Sequence, residues 1–126
     1  MKSSIDVQSQ VTDATLVVML SYTSDVLLSS QSAQELTTRL LSAYTDRNTS
    51  EVGPSCIVEI RASVASSSLI RALFELWKSV IASSGELRIV GYPPEYTDSL
   101  TSLGITTLKG FRQSSSREEA LKSLRS

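Results

Sequence analysis

The sequence predicts a single α/β domain, residues 1–126, built on a mixed, mostly parallel β-sheet with an antiparallel N-terminal hairpin and about four flanking helices. Three observations carry that prediction. Two apolar, β-branched segments near the N-terminus are joined by only three residues, Thr12-Asp13-Ala14, which makes a hairpin. From about residue 30 onward, helical spacings of apolar residues alternate with short apolar runs, and strands separated by helices pair in parallel through right-handed crossovers. A chain of 126 residues that is 40% hydrophobic is long and apolar enough to bury a core without a metal or disulfide.

The elements follow in order. Ile5-Asp6-Val7-Gln8-Ser9-Gln10-Val11 alternates apolar and polar with only Ser9 out of step, the pattern of a half-buried strand. Thr15 to Ser21 is a β-branched run suited to a more buried one. Ser29 or Ser30 caps a helix that runs to about Tyr44, with Ala33, Leu36, Leu40 and Ala43 on one face. Thr45 to Pro54 is a polar loop closed by Gly53-Pro54. Ser55 to Arg61, apolar apart from Glu59 and its polar ends, reads as a central parallel strand. Pairing of Glu59 with Arg61 or Arg88 accounts for an acid in that setting.

After Ser66-Ser67-Ser68 comes the strongest helical pattern, Leu69, Leu73, Leu76, Trp77, Val80 and Ile81, with Gly85 as its expected left-handed stop. Trp77 at this spacing belongs to the core or its margin, while Arg71, Glu75 and Lys78 face solvent. Leu87 to Gly91 is a short strand. Pro93-Pro94-Glu95 opens a helix with Leu100 and Leu103 on its apolar side and Gly104 at its end. Ile105 to Phe111 contains a final strand around Thr107-Leu108. Ser116-Arg117-Glu118-Glu119 is a capping box that starts a last helix bearing Ala120, Leu121 and Leu124.

Composition narrows the function. Lys plus Arg is 12 and Asp plus Glu is 13, a net charge of -1, without the basic excess that nucleic acid or an anionic membrane requires. No histidine is present and Cys56 is the single cysteine, so Ser-His and Cys-His catalysis and histidine-ligated zinc are excluded within one chain. Cys56 opens a buried strand and reads as an inert core thiol. The glycines stand apart and form no phosphate-cradling loop, and no Gly-x-Ser-x-Gly elbow occurs. The longest apolar run, Leu16 to Leu20, is too short to span a bilayer, and the N-terminus has no apolar signal core. The expectation is a cytoplasmic, non-enzymatic protein with no cofactor and no metal. Serine forms about a fifth of the chain, but is scattered between apolar positions and reads as surface filler and helix caps.

Four segments from Cys56 onward carry a family likeness. They are the strand Ile57-Val58-Glu59-Ile60, then Ser66-Ser67-Ser68-Leu69, then Leu73-Phe74-Glu75-Leu76-Trp77-Lys78 through Gly85-Glu86-Leu87-Arg88-Ile89-Val90-Gly91-Tyr92-Pro93-Pro94, and finally Phe111 to Glu118-Glu119-Ala120-Leu121. In this order and spacing the chain resembles the STAS family, the domain shared by sulfate transporters and anti-sigma factor antagonists. The β-β-α-β order of the first half fits the same fold.

The resemblance implies a regulatory domain that binds a partner serine kinase of the anti-sigma class. It makes Ser66 the residue such a kinase would phosphorylate, with Ser67 the less favoured choice. Any nucleotide belongs to that partner. The implied docking face comprises Ser63, Ser66, Ser67, Ser68 and Arg71, together with Tyr22, Ser24 and Asp25 of the loop Ser21 to Asp25. Two departures stand out: Ala65 replaces the family's aspartate before the serine, and Ser68 replaces its glycine. The approach from Ile60 is also about two residues shorter than usual. A serine at a helix N-terminus is also simply a good cap, and Ser66, Ser67 or Ser68 suits that role. Two alternatives stay open. One is a constitutive scaffold or homodimer without phosphoregulation; the other is an accessory domain for a small ligand or lipid transport, which needs an apolar pocket beside the central helix.

Overall fold

A computed structural model describes residues 5–22, 30–46, 52–61, 67–93, 102, 104 and 108–125. Five strands form one sheet in the order β1-β2-β3-β4-β5: β1 Ile5–Thr12, β2 Thr15–Tyr22, β3 Cys56–Ile60, β4 Leu87–Val90 and β5 Phe111–Ser114. The β1–β2 pair is antiparallel and the other three pairs are parallel. The described helices are α1 Ser30–Thr45, α2 Ser67–Ala82 and α3 Arg117–Arg125. The helix expected from Pro93 to Gly104 falls almost wholly on residues outside those described.

Side-chain alternation along the parallel strands builds two cores. Leu16, Val18 and Leu20 of β2, Cys56, Val58 and Ile60 of β3, and Leu87 and Ile89 of β4 point to one face. There they meet Leu36, Leu40 and Tyr44 of α1 and Leu69, Leu73, Leu76 and Val80 of α2. Each large side chain so buried contributes about 1.5–3 kcal/mol of transfer free energy, so this layer dominates the fold. The intervening residues Val17, Ile57 and Val90 face the other way, against Ala120, Leu121 and Leu124 of α3. This explains why β2, and β3 apart from Glu59, read as nearly continuous apolar runs: both of their faces are covered.

Local chemistry places the joints, and in two of them it differs from expectation. The hairpin loop is only Asp13-Ala14, with Thr12 paired to Thr15 inside the ladder. Both loop residues have positive φ, 53° and 60°, the turn whose twist matches that of the strands. At the C-terminus of α2 the left-handed residue is Ser84, φ 67°, not Gly85. The Ser84 N–H donates to the Ile81 carbonyl and the Gly85 N–H to the Val80 carbonyl, both at 2.9 Å, closing the helix end. Gly85 is needed for another reason: a Cβ there would lie 2.2 Å from the Pro54 carbonyl oxygen.

The last strand is also displaced. It begins at Phe111, where the expected strand ended, and Leu108 lies before it in a bend. Gly110, φ 77°, turns the chain, and its carbonyl accepts from the Leu87 N–H at 2.7 Å as the pairing with β4 starts. Phe111 is the only fully buried residue of this edge strand, so no apolar alternation announces it. The capping box at the start of α3 is present, with the Glu119 N–H donating to Ser116 Oγ at 3.2 Å.

Candidate functional site

The parallel strands β2, β3 and β4 all end at one edge of the sheet, where loops and helix N-termini gather in open α/β folds. β3 closes at Ile60, Arg61 follows, and α2 begins at Ser67. The N-terminus of the long central helix is thereby set at this edge. No acidic residue occupies its first turn, so no carboxylate of its own offsets the partial positive charge of the helix N-terminus.

The expected docking residues divide as follows. Ser63, Ser66, Ser24 and Asp25 lie outside the described residues. Ser67 is the first residue of α2, and the position of its side chain is likewise not described. Ser68 is half-buried and Arg71 is exposed one turn further on. Tyr22 is a correction. It is the last residue of β2, 8% exposed and packed into the main core, because the strand runs one residue further than Ser21 and its alternation turns this ring inward. Its ring belongs to the core and not to an open loop.

Glu59 has one of the two partners expected for it and a third residue that spacing did not reveal. Its carboxylate accepts from Arg61 Nη2 at 2.7 Å and from Arg117 Nε at 2.9 Å and Nη2 at 3.2 Å. Arg117, first residue of α3, bonds to it and holds the carboxyl below the ordinary 4.5 of a glutamate; burial acts in the opposite direction and Arg61 adds to the lowering. A basic residue opening a helix is poorly placed for the dipole, and the carboxylate beneath it compensates. Arg88 instead lies beneath α3 at 2% exposure, its Nε donating to Ser123 Oγ at 2.8 Å and its Nη2 to Glu86 Oε1 at 2.6 Å. No sequence signal links Arg117 to Glu59 or Arg88 to Ser123, since only the sheet register puts these faces together.

On α2, Trp77 is half-buried, stacked on Phe74 at 5.6 Å between ring centroids, with its indole N–H donating to the Lys109 carbonyl at 2.8 Å. It staples α2 to the turn before β5. Glu75 pairs with Lys78 at 3.0 Å; Arg71, N-terminal to Glu75, offers the less favourable orientation for a helical pair. Just beyond β4, Tyr92 is 7% exposed and its hydroxyl is the one fully buried side-chain polar atom among the described residues without a hydrogen-bond partner. Burial pushes its phenol above the ordinary value of 10.0.

Cys56 is fully buried, and its thiol points to the Ile57 carbonyl at 3.8 Å. Among the described residues no three metal-ligating side chains cluster, and no helix is long and apolar enough to cross a membrane. Among the described residues, Arg61, Ser68 and Arg71 bring polar side chains to this edge.

No family model matches the sequence, and no curated protein matches it. Solved structures do. One is an anti-sigma-factor antagonist (STAS) domain protein from Planctomyces limnophilus, 18% identical with a TM-score of 0.71 over 96% of this chain and 99% of that one. RsbS from Moorella thermoacetica, in a variant with glutamate in place of a serine, is 22% identical with a TM-score of 0.71 over 94% of each chain. The anti-sigma factor antagonist SpoIIAA in its unphosphorylated form is 15% identical with a TM-score of 0.56 over 96% of this chain and 97% of that one. These likenesses run nearly from end to end of both partners, and the fold is that of the STAS domain.

Proposed function

We propose that this chain is a non-enzymatic regulatory domain that binds a protein partner of the anti-sigma serine kinase type through the edge where α2 begins, and that phosphorylation of Ser66 switches the association. The observation that carries the reading is the end-to-end structural likeness to anti-sigma factor antagonists. The local chemistry supports it. Ser66 immediately precedes the first residue of α2, whose first turn has no acid. A phosphate there adds about -1.5 to -2 charge, which the positive end of a helix dipole accommodates and a partner surface does not. One covalent event thus changes association and leaves the fold alone. Ser63, Ser67, Ser68, Arg71, Ser24 and Asp25 complete the proposed face.

The test is incubation with the cognate kinase and ATP, followed by intact-mass analysis and calorimetric titration. One added phosphate is expected, absent in Ser66→Ala. Ser66→Glu is expected to weaken binding about tenfold or more, with Ser66→Ala within about twofold of wild type. Binding that is unchanged by Ser66→Glu, with no phosphate added, removes the switch. It would favour a constitutive scaffold, the reading that Ala65 and Ser68 also support. Absence of any binding removes both.

A further inference from the structure

The outer edge of β1 carries a row of backbone groups turned away from β2, whose identity follows from the hairpin. In a two-residue hairpin the residues flanking the turn, here Thr12 and Thr15, exchange both backbone hydrogen bonds, and alternation continues down the strand. Thr12, Gln10, Gln8 and Asp6 therefore spend their N–H and C=O groups on β2, while Ile5, Val7, Ser9 and Val11 turn theirs away from it. An independent contact agrees: the carbonyl of Ile5 accepts from Arg39 of α1.

That edge lacks the devices that normally block strand addition. β1 is eight residues long, pairs one-to-one with β2 throughout, and contains no lysine, arginine, proline, glycine or bulge. Among the described residues no strand covers its outer side, and Val11, at 53% exposure, is the one exposed large apolar side chain.

We propose that this edge pairs antiparallel with the same edge of a second copy of the chain, about a two-fold axis at Ser9, joining the two sheets into one. The register follows from the residues. Centring on Ser9 places Val7 opposite the second copy's Val11, so the exposed Val11 of each copy is covered, and pairs only Val7, Ser9 and Val11, whose groups face outward. Centring one residue earlier would require the Ile5 carbonyl that Arg39 occupies. The one charge on the strand, Asp6, falls opposite Thr12 of the second copy. The two Asp6 carboxylates then lie roughly 20 Å apart along the strands, beyond the screening length at physiological salt. A second copy fits because the edge is complementary to itself under a two-fold.

Strand addition alone makes a small interface, so the dimer forms with a dissociation constant on the order of 1–100 μM. Sedimentation equilibrium over a concentration series is expected to show a monomer–dimer equilibrium. Ser9→Pro removes an outward N–H without touching the β1–β2 ladder and is expected to leave only monomer, with the unfolding midpoint retained. Ser9→Lys sets like charges across the axis and provides the same readout should the proline variant fail to fold. Ser9→Cys places two thiols at a Cα separation of about 5.5 Å and is expected to give a disulfide-linked dimer under mild oxidation, where wild type, with Cys56 buried, gives none. A monomer at every concentration, or a dimer that survives Ser9→Pro and Ser9→Lys, overturns the proposal.

Discussion

Ala14 holds a backbone conformation that its own side chain opposes. At φ 60° its Cβ crowds the following carbonyl, a cost of about 1–2 kcal/mol for an L-residue. The surroundings hold it there: its carbonyl accepts from the Gly53 N–H at 2.7 Å, and Thr12 and Thr15 pair on either side. Ala14→Gly relieves the crowding and is expected to stabilise the protein by about 1 kcal/mol in urea unfolding, less the extra freedom glycine has in the unfolded chain. An equal or lower midpoint would show that the turn is not strained. Ser84 at the end of α2 is a second residue in the left-handed region. Neither was legible from the sequence, where the eye goes to Gly85 and to an ordinary three-residue connection. Glycine marks freedom of conformation, but at Gly85 the constraint is space, the Pro54 carbonyl, which is distant in the chain.

α2 is the element that the sequence describes best. Leu69, Leu73, Leu76 and Val80 recur at helical spacing and all four are fully buried, because one apolar stripe on one helix needs only one sheet face to meet it. α3 is the opposite case. Nine residues are too few to be helical alone, so its packing holds it: Ala120, Leu121 and Leu124 on the sheet, Ser123 on Arg88, and Arg117 on Glu59. The last pair makes α3 docking sensitive to acid. Glu59 has its pKa lowered by Arg117 in the folded chain, so its contribution is full at pH values above the ordinary 4.5 and is lost as pH falls through the lower folded value. Glu59→Gln is expected to cost about 2 kcal/mol at neutral pH. Its deficit against wild type should shrink in urea titrations taken below pH 4.5. A deficit constant with pH would show that the arginines do not depend on the carboxylate charge.

At the scale of the whole molecule, the absence of histidine has a thermodynamic consequence. The sequence holds no side chain whose unperturbed pKa falls between about pH 6 and 8. Unfolding free energy is therefore expected to vary by less than about 0.5 kcal/mol across that interval, as measured by chemical denaturation at three pH values. A steeper slope would reveal a strongly perturbed group. Modest acidification therefore finds no histidine to charge in this chain.

By itself the sequence determined the alternation of elements, the mixed sheet and the apolar layer under α1 and α2, because periodicity is a local property that each segment carries alone. It also put the start of α2 at the serine run, of which Ser67 and Ser68 are the helix's first two residues. Tertiary structure alone decided what joins across distance: Arg117 on Glu59, Arg88 beneath α3, Tyr22 turned into the core, β5 starting at Phe111, and β1 left at the sheet edge. Those outcomes depend on register and on which face a neighbouring element covers, and such quantities exist only once the strands have paired.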